Sequence, residues 1–400
     1  MKILVLNAGS SSIKFQLFLM EEKKSIASGL VEAIGEKNGA YKIKCLKSGK
    51  VEENKNCPIK DHSDGLKIIQ KNLKKMGILD SLNELDGIGH RVVQGADLFS
   101  KPTLIDEKVI KGIEKISPLA PLHNPAHLKG IKTALKQAPN VPEVAVFDTA
   151  FHQSLPQKAY MYAIGYDMYE KYQIRKYGFH GTSHYYVAKT AAKHLGVDFD
   201  KFNAISLHLG NGSSACAIKN GKSIDTSMGL TPLAGLIMGT RCGDIDPSAL
   251  YYISQKTSKD ISWINNYLNK ESGLKGLAGS NDLRDILKLI EQGDKKAILA
   301  YEMMIYRLSQ YIGSYYAILG RLDALIFTGG IGENASALRY DTCKDLEHLV
   351  LHIDKDKNAK KVEGIQELNK DQAKVKILKI PTNEELEIAL QTRKVIKEKM

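Results

Sequence analysis

The chain has 400 residues, 43% hydrophobic and 26% charged, which allows two domains with real cores and fits an ordinary globular protein. Lys plus Arg number 57 and Asp plus Glu 45, a formal charge of +12. Acids are interleaved through the lysine-rich stretches, and there is no zinc-finger pattern or aromatic-interleaved basic stripe, so the charge reads as a solvated surface and nucleic acid is not an expected partner.

In chain order, residues 2–6 read as a strand whose unbroken apolar run expects cover on both faces. The turn Asn7-Ala8-Gly9-Ser10-Ser11-Ser12 and a return strand over 13–19 follow. A polar, lysine-rich region of surface strands and loops comes next. Leu66, Ile69, Leu73 and Met76 then mark one helical face, closed by Gly77. Asn124-Pro125 reads as an N-cap and first-turn proline opening a helix to about residue 138. Residues 143–147 form a buried strand that delivers Asp148 at its end.

A second unit begins near residue 150. Ser183 is expected to cap a helix that Gly196 ends, and 204–209 is another apolar strand. It runs into Gly210-Asn211-Gly212-Ser213-Ser214, a further strand and the hairpin turn Asn220-Gly221. A long amphipathic helix over 295–319 stops at Gly320, 323–327 is a strand, and a C-terminal helix starting at Glu384 is expected to return to the first half. The five cysteines (Cys45, Cys57, Cys216, Cys242, Cys343) are odd in number and form no C-x-x-C pair, as expected of reduced thiols. The apolar run at 3–6 is too short for a signal-peptide core and no later stretch would span a bilayer, so a soluble, cytoplasmic protein is expected.

The segments around 6–11 and 207–212 share one plan: apolar strand, small-residue turn, return strand. Each turn follows a strand end, where open α/β sheets bind ligands, and its N–H groups and hydroxyls suit phosphate oxygens, with Lys14 adding a point charge. One such turn alone would read as an ordinary hairpin; two copies indicate a duplicated architecture. Gly330-Ile331-Gly332-Glu333-Asn334-Ala335 fits a dinucleotide fingerprint, with Asp354 downstream. A nicotinamide enzyme would leave both phosphate hairpins unexplained, so a loop contacting adenosine is the preferred reading. Arg91 and Arg241 sit on glycine-flanked segments and offer forks that match carboxylate or phosphate oxygens, against the alternative of structural salt bridges. His90, His123, His180, His184 and His208 fall in the same motif-like stretches, and His184 reads as an ordinary hydrogen-bonding histidine. No metal-ligand spacing of histidines occurs.

Ile3-Leu4-Val5-Leu6-Asn7-Ala8-Gly9-Ser10-Ser11-Ser12-Ile13-Lys14 resembles the first signature of the acetokinase family, and Ser206-Leu207-His208-Leu209-Gly210-Asn211-Gly212 the second. The similarity continues to Pro381-Thr382-Asn383-Glu384-Glu385. It implies the fold shared with actin and hexokinase, two duplicated ribonuclease H-like α/β domains closing over a nucleotide cleft. The expected domains are 1–149, completed by 385–400, and 150–384. The implied reaction is reversible transfer of the ATP γ-phosphoryl to acetate, giving acetyl phosphate and ADP, with propionate or butyrate as the alternative acceptor. Magnesium, replaceable by manganese, is the implied metal, organised by Asn7, Asp148 and Glu384. Arg91, Arg241, His180, His123 and Asp148 are the implied catalytic set. Val93, Leu122, Phe179 and Pro232 would form, with Arg91, the pocket for the acid. Nucleotide contacts would come from Ser10, Ser12, Lys14, His208, Leu209, Gly210, Asn211, Gly212, Asp282, Leu283, Arg284 and the segment Gly330, Ile331, Gly332, Glu333, Asn334. A homodimer without nucleic-acid or membrane partners is also implied. Because the acceptor is a carboxylate with a pKa of about 4–5, it is already ionised at neutral pH and no general base is required. A non-catalytic actin-like nucleotide binder is the competing reading, and it would be expected to lack Arg91, Arg241, His180 or Asp148.

Overall fold

A strand with no polar alternation must be covered on both faces. In the computed structural model, which describes residues 1–399, the run at 3–6 lies inside β1 (Lys2–Ala8) at the middle of a sheet. The chain separates into two units, Met1–Ala150 completed by the segment from Asn383 onward, and Phe151–Thr382. No helix among the described residues is long and apolar enough to cross a membrane.

In the first unit, β1 is followed by β2 (Ser12–Leu19), β3 (Lys24–Glu32), β4 (Gly39–Cys45) and β5 (Val51–Cys57), each antiparallel to the strand before it. After helix α1 (His62–Lys75) come β6 (Gly87–Val92), β7 (Thr103–Leu104), α2 (Glu107–Ile116), α3 (Asn124–Gln137) and β8 (Glu143–Phe147). The sheet order is β5-β4-β3-β2-β1-β6-β8-β7, with β1, β6 and β8 parallel. Leu4, Leu6, Phe15 and Leu17 pack with Leu66, Ile69 and Leu73 of α1 and Ala134 and Ala138 from the α3 end. Ile3, Val5, Val144 and Val146 face the other way, onto Ile388, Ala389 and Ile396 of the C-terminal helix Glu384–Lys399. That helix lies close because Gly89 has no side chain: a Cβ there would stand 2.4 Å from Thr392 Oγ1.

The second unit repeats the plan. β9 (Ala204–Leu209), β10 (Ser213–Lys219) and β11 (Lys222–Thr226) form an antiparallel meander. β12 (Ala324–Thr328) and β14 (Lys376–Lys379) then extend β9 in parallel, and the short β13 (Gln366–Glu367) closes the order β11-β10-β9-β12-β14-β13. Meander then parallel strands is also the arrangement of β3-β2-β1-β6-β8, so the duplication read from two hairpins extends to the sheets. Ile205, Leu207, Leu325 and Phe327 pack on the long helix Lys295–Leu319, while Ala204, Cys216, Ile218 and Ile326 pack on the helix Gly181–His194.

Local expectations met mixed outcomes. Asn220 and Gly221 both have positive φ, at 52° and 71°, as the tight turn requires. Asn124 is not the N-cap of α3: His123 holds that position, and the Asn124 amide instead accepts from Gln94 N at 3.1 Å and donates to Gln94 O at 2.9 Å. Ser183 does not cap its helix, which begins at Gly181, because its hydroxyl is engaged by His208 and Thr382. The region 330–334 is not a loop but part of the short helix Gly329–Asn334, and the polar stretch 355–379 folds into a helix and two strands.

Candidate active site

Strand register places the first group of residues. Val5 pairs with Gly89 and Arg91 with Val146, so Asn7, Arg91 and Asp148 share the sheet face of Val5 and Val146, at the carboxyl ends of three parallel strands. The helix covering that face starts with Glu384. Arg91 donates to Asp148 from Nη2 to Oδ2 at 2.6 Å and from Nε to Oδ1 at 3.3 Å. Burial opposes the charge on Arg91, but Asp148 and then Glu384 outweigh it and hold the guanidinium above its ordinary value. Burial in turn raises the Glu384 carboxyl, with Arg91 pulling the other way. Lys14 pairs with Glu385 at 2.6 Å. The turn after β1 is tied by Gly9 N donating to Ser12 O at 2.8 Å, and His62 Nε2 donates to Gly9 O at 2.7 Å. Val93 is buried, whereas Leu122 is 74% exposed, an apolar side chain left uncovered beside His123.

In the second unit the sheet face toward the helix Gly181–His194 carries Ser206, His208 and Ser214, with His208 directly opposite Ser214. His180 and His184, one helical turn apart, reach this face. His180 and His208 stack with centroids 4.2 Å apart and planes at 26°. Each ring is fixed through Nδ1: His180 to Ser214 Oγ at 2.9 Å, His208 to Ser183 Oγ at 2.8 Å. His180 itself has φ 56°, a left-handed conformation uncommon outside glycine, at the start of the helix. Arg241 lies against the same hairpin. A Cβ on Gly212 would come within 3.3 Å of Arg241 Nη1 and 3.6 Å of His180 Nε2.

The two arginines differ sharply. Arg241 Nη1 reaches only the Pro232 carbonyl at 3.4 Å and the Met238 sulfur at 3.7 Å. Among the described residues it pairs with no carboxylate, and burial alone pulls its pKa down. It is a cation whose desolvation is uncompensated, which makes an anion a favourable neighbour. Phe179, of the expected acid pocket, is buried, and its carbonyl accepts from His152 Nε2 at 2.9 Å.

Two further segments of this unit converge on the end of β9. Asn281 Nδ2 donates to Asn211 Oδ1 at 3.2 Å, bringing the 281–284 segment to the hairpin. Asp282 caps the helix Leu283–Glu291 and holds Arg284 at 2.5 Å, and that contact first, then the Arg284 backbone N–H, lowers its carboxyl to about 2. Gly329, at φ 76°, packs on Leu209, where a Cβ would stand 2.7 Å from the Leu209 carbonyl oxygen. Glu333 accepts from Gly329 N at 3.1 Å and Thr382 N at 3.2 Å, and Arg339 Nη1 donates to the Gly332 and Glu333 carbonyls, both at 2.9 Å. His208, Leu209, Gly210, Asn211, Gly212, Asp282, Leu283, Arg284 and the 330–334 helix are thus one neighbourhood.

Sequence reading assigned no functional role to Ser183, which reads there as a helix cap, or to Ser206, Ser214, His62, Arg339 and Glu385. Serines on strands and an arginine in a helix carry no local signal, and only the register of β9 against β10 would have pointed to Ser206 and Ser214.

The chain matches the model of the acetokinase family over residues 2–390. It is 58% identical to the acetate kinase of Campylobacter concisus over 399 residues, covering 100% of both chains. The crystal structure of Porphyromonas gingivalis acetate kinase superposes with a TM-score of 0.94 at 41% identity, covering 99% of each chain. A propionate kinase from Francisella tularensis superposes at 0.91 with 44% identity, covering 98% of this chain and 99% of that one. Matched by the family model over nearly its whole length and by full-length relatives at more than half identity, the chain belongs to the acetokinase family.

Proposed function

We propose that the protein transfers the γ-phosphoryl of ATP to acetate, forming acetyl phosphate and ADP by a single in-line displacement. The observation that carries this reading is Arg241: a partly buried guanidinium with no carboxylate partner among the described residues, beside His180 and the Gly210-Asn211-Gly212 turn. That combination suits an anion that arrives, reacts and leaves.

In this reading the acetate carboxylate attacks as the anion it already is, so the site supplies alignment and positive charge instead of a proton acceptor. Arg241 and His180 stabilise charge on the phosphoryl in transit, and Arg91, held by Asp148, orients the reacting oxygens. His123 adds a polar group beside them. The His208–Gly212 turn and Ser10, Ser12 and Lys14 hold phosphate oxygens, and 282–284 with 330–334 hold the nucleoside. Val93, Leu122, Phe179 and Pro232 bound the methyl group.

The donor set Asn7, Asp148 and Glu384 is two carboxylates and an amide, hard oxygen ligands of the kind magnesium takes beside substrate phosphates. Burial raises the Glu384 carboxyl, so a nearby cation is favoured there, and the set fits. Bound magnesium would neutralise phosphate charge and fix the leaving oxygen. We further propose a homodimer, since Tyr251, Tyr252, Ile261 and Tyr306 of the second unit are more than 60% exposed.

The reaction is tested in reverse by phosphorus NMR of the purified protein with ADP, magnesium and acetyl phosphate. Growth of ATP resonances at the expense of acetyl phosphate is expected. Hydrolysis to inorganic phosphate without ATP would refute the reading.

A further inference from the structure

His184 is completely buried, and both its nitrogens meet serine hydroxyls: Nδ1 and Ser206 Oγ at 2.6 Å, Nε2 and Ser214 Oγ at 2.8 Å. Ser214 Oγ also meets His180 Nδ1 at 2.9 Å. The four side chains form a line, Ser206, His184, Ser214, His180, in which the first three are fully buried. Such a line has few proton arrangements, because a hydroxyl has one proton to donate and a neutral imidazole has one N–H.

Burial keeps His184 neutral, holding its pKa well below the ordinary value. Among the described residues, Ser206 Oγ has the His184 ring as its single hydrogen-bond partner. If His184 carried its proton on Nδ1, Ser206 would accept it, and the Ser206 hydroxyl proton would be sealed in the interior without an acceptor, which is costly. The arrangement that leaves no proton stranded runs in one direction. Ser206 donates to His184 Nδ1, His184 Nε2–H donates to Ser214 Oγ, and Ser214 donates to His180 Nδ1. The His180 proton is then on Nε2, on the ring edge toward Gly212 and Arg241.

We propose that Ser206, His184 and Ser214 are positioning residues that fix His180 as its Nε2–H tautomer, aiming a neutral N–H donor at the transferring phosphoryl. His180 is the catalytic residue; the other three touch no substrate and act through it. The line assembles from two placements: His180 precedes the helix that carries His184, whose N–H donates to the His180 carbonyl at 2.9 Å, and Ser206 and Ser214 share one face of the β9–β10 pair. The stack of His180 on His208 holds the ring plane, while the line sets which nitrogen carries the proton. The assignment of the donor's target rests on the phosphotransfer reading, but the tautomer does not.

The test uses the full-length protein with ¹⁵N-labelled histidine, read by long-range ¹H–¹⁵N correlation at mildly alkaline pH. The His180 signal, assigned by its loss in His180→Asn, is expected to show the Nε2–H pattern. A proton on Nδ1, alone or together with Nε2, overturns the proposal, and this arm needs no variant other than His180→Asn. Kinetics form the second arm. Ser214→Ala should lower kcat about ten- to a hundredfold, the scale of a misplaced catalytic group, with KM for ATP and for acetate within about twofold. His184→Gln, whose amide can donate where Nε2–H did, should retain more activity than His184→Asn, which cannot reach Ser214. Unchanged kcat in Ser214→Ala, or equal loss in both His184 variants, contradicts the positioning role. If the wild type made no acyl phosphate while the tautomer was as stated, the reaction assignment would fall and the proton assignment would stand.

Discussion

Arg91 and Asp148 meet as a two-pronged ion pair at 2.6 and 3.3 Å, while Arg241, on the other unit, has a carbonyl and a thioether in place of a carboxylate. The same side chain is therefore held in two ways. One guanidinium is neutralised and oriented by the protein, and the other is left for an anion to complete.

Arg241→Met is accordingly expected to separate activity from stability. Turnover should fall about a hundred- to a thousandfold, as when an electrostatic donor to a transition state is removed. Thermal stability should hold or rise, because a desolvated charge without a partner is replaced by an apolar chain of similar reach. Differential scanning fluorimetry beside steady-state kinetics checks both. A large drop in Tm would show Arg241 to be a structural residue.

Asp148→Asn should behave in the opposite way. It leaves Arg91 half-buried without its partner, so stability should drop by about 1–3 kcal/mol, less than for a fully buried broken pair because Arg91 is partly open to solvent. kcat should fall severely and the magnesium concentration for half-maximal rate should rise. Magnesium titration of both proteins checks this, and an unchanged midpoint would remove Asp148 from the metal site.

The buried histidines predict acid lability. Burial lowers His152 to about 4 and His127 to about 3, against an ordinary value of 6.5. Between about 4 and 6.5 the unfolded chain binds protons that folded His152 refuses, so stability is lost as pH falls through that window. Each such histidine contributes a slope approaching about 1.4 kcal/mol per pH unit. Glu384, raised by burial, works in the other direction above the ordinary carboxylate range and reduces the net slope. Urea denaturation from mildly acidic to neutral pH should give a shallower dependence for His152→Gln than for the wild type. Parallel curves would show that His152 is not the group responsible.

Much of this molecule was legible in its sequence, for identifiable reasons. Strands over 2–6, 143–147 and 204–209 are apolar runs bounded by small or polar residues, and Gly77, Gly320 and Asn220-Gly221 occupy positive-φ positions that few residues tolerate. The duplicated hairpins were visible because each is local. What was not legible depends on contacts between distant segments. Asn124 reads as a cap until Gln94 is seen to claim its amide. Ser183 reads as a cap until His208 and Thr382 engage it. The line from Ser206 to His180 joins three segments by strand register and helix phase, neither of which a single sequence fixes. Arg91 and Arg241 were equivalent as letters, and only the position of Asp148 tells them apart.

The proposed role of Val93 toward the methyl group of the acid predicts a graded loss of selectivity. Val93 is buried, so shortening it leaves space that a longer acid would fill if Val93 lines the proposed pocket. One methylene is worth about 1–3 kcal/mol of discrimination in such a pocket. Val93→Ala should narrow the acetate-over-propionate ratio of kcat/KM, chiefly through KM for the acid. A ratio equal to that of the wild type would place the methyl group elsewhere.

Direct phosphorylation of a short carboxylate leaves an acyl phosphate, which hydroxylamine traps as a hydroxamate in reactions with ATP, magnesium and acetate, propionate or butyrate at matched concentrations. Hydroxamate is expected with acetate at the highest kcat/KM, with a modest decline for propionate and a poor yield for butyrate. No hydroxamate from any of the acids, with ATP intact, or equal kcat/KM for acetate and butyrate, would rule out acetate as the preferred acceptor.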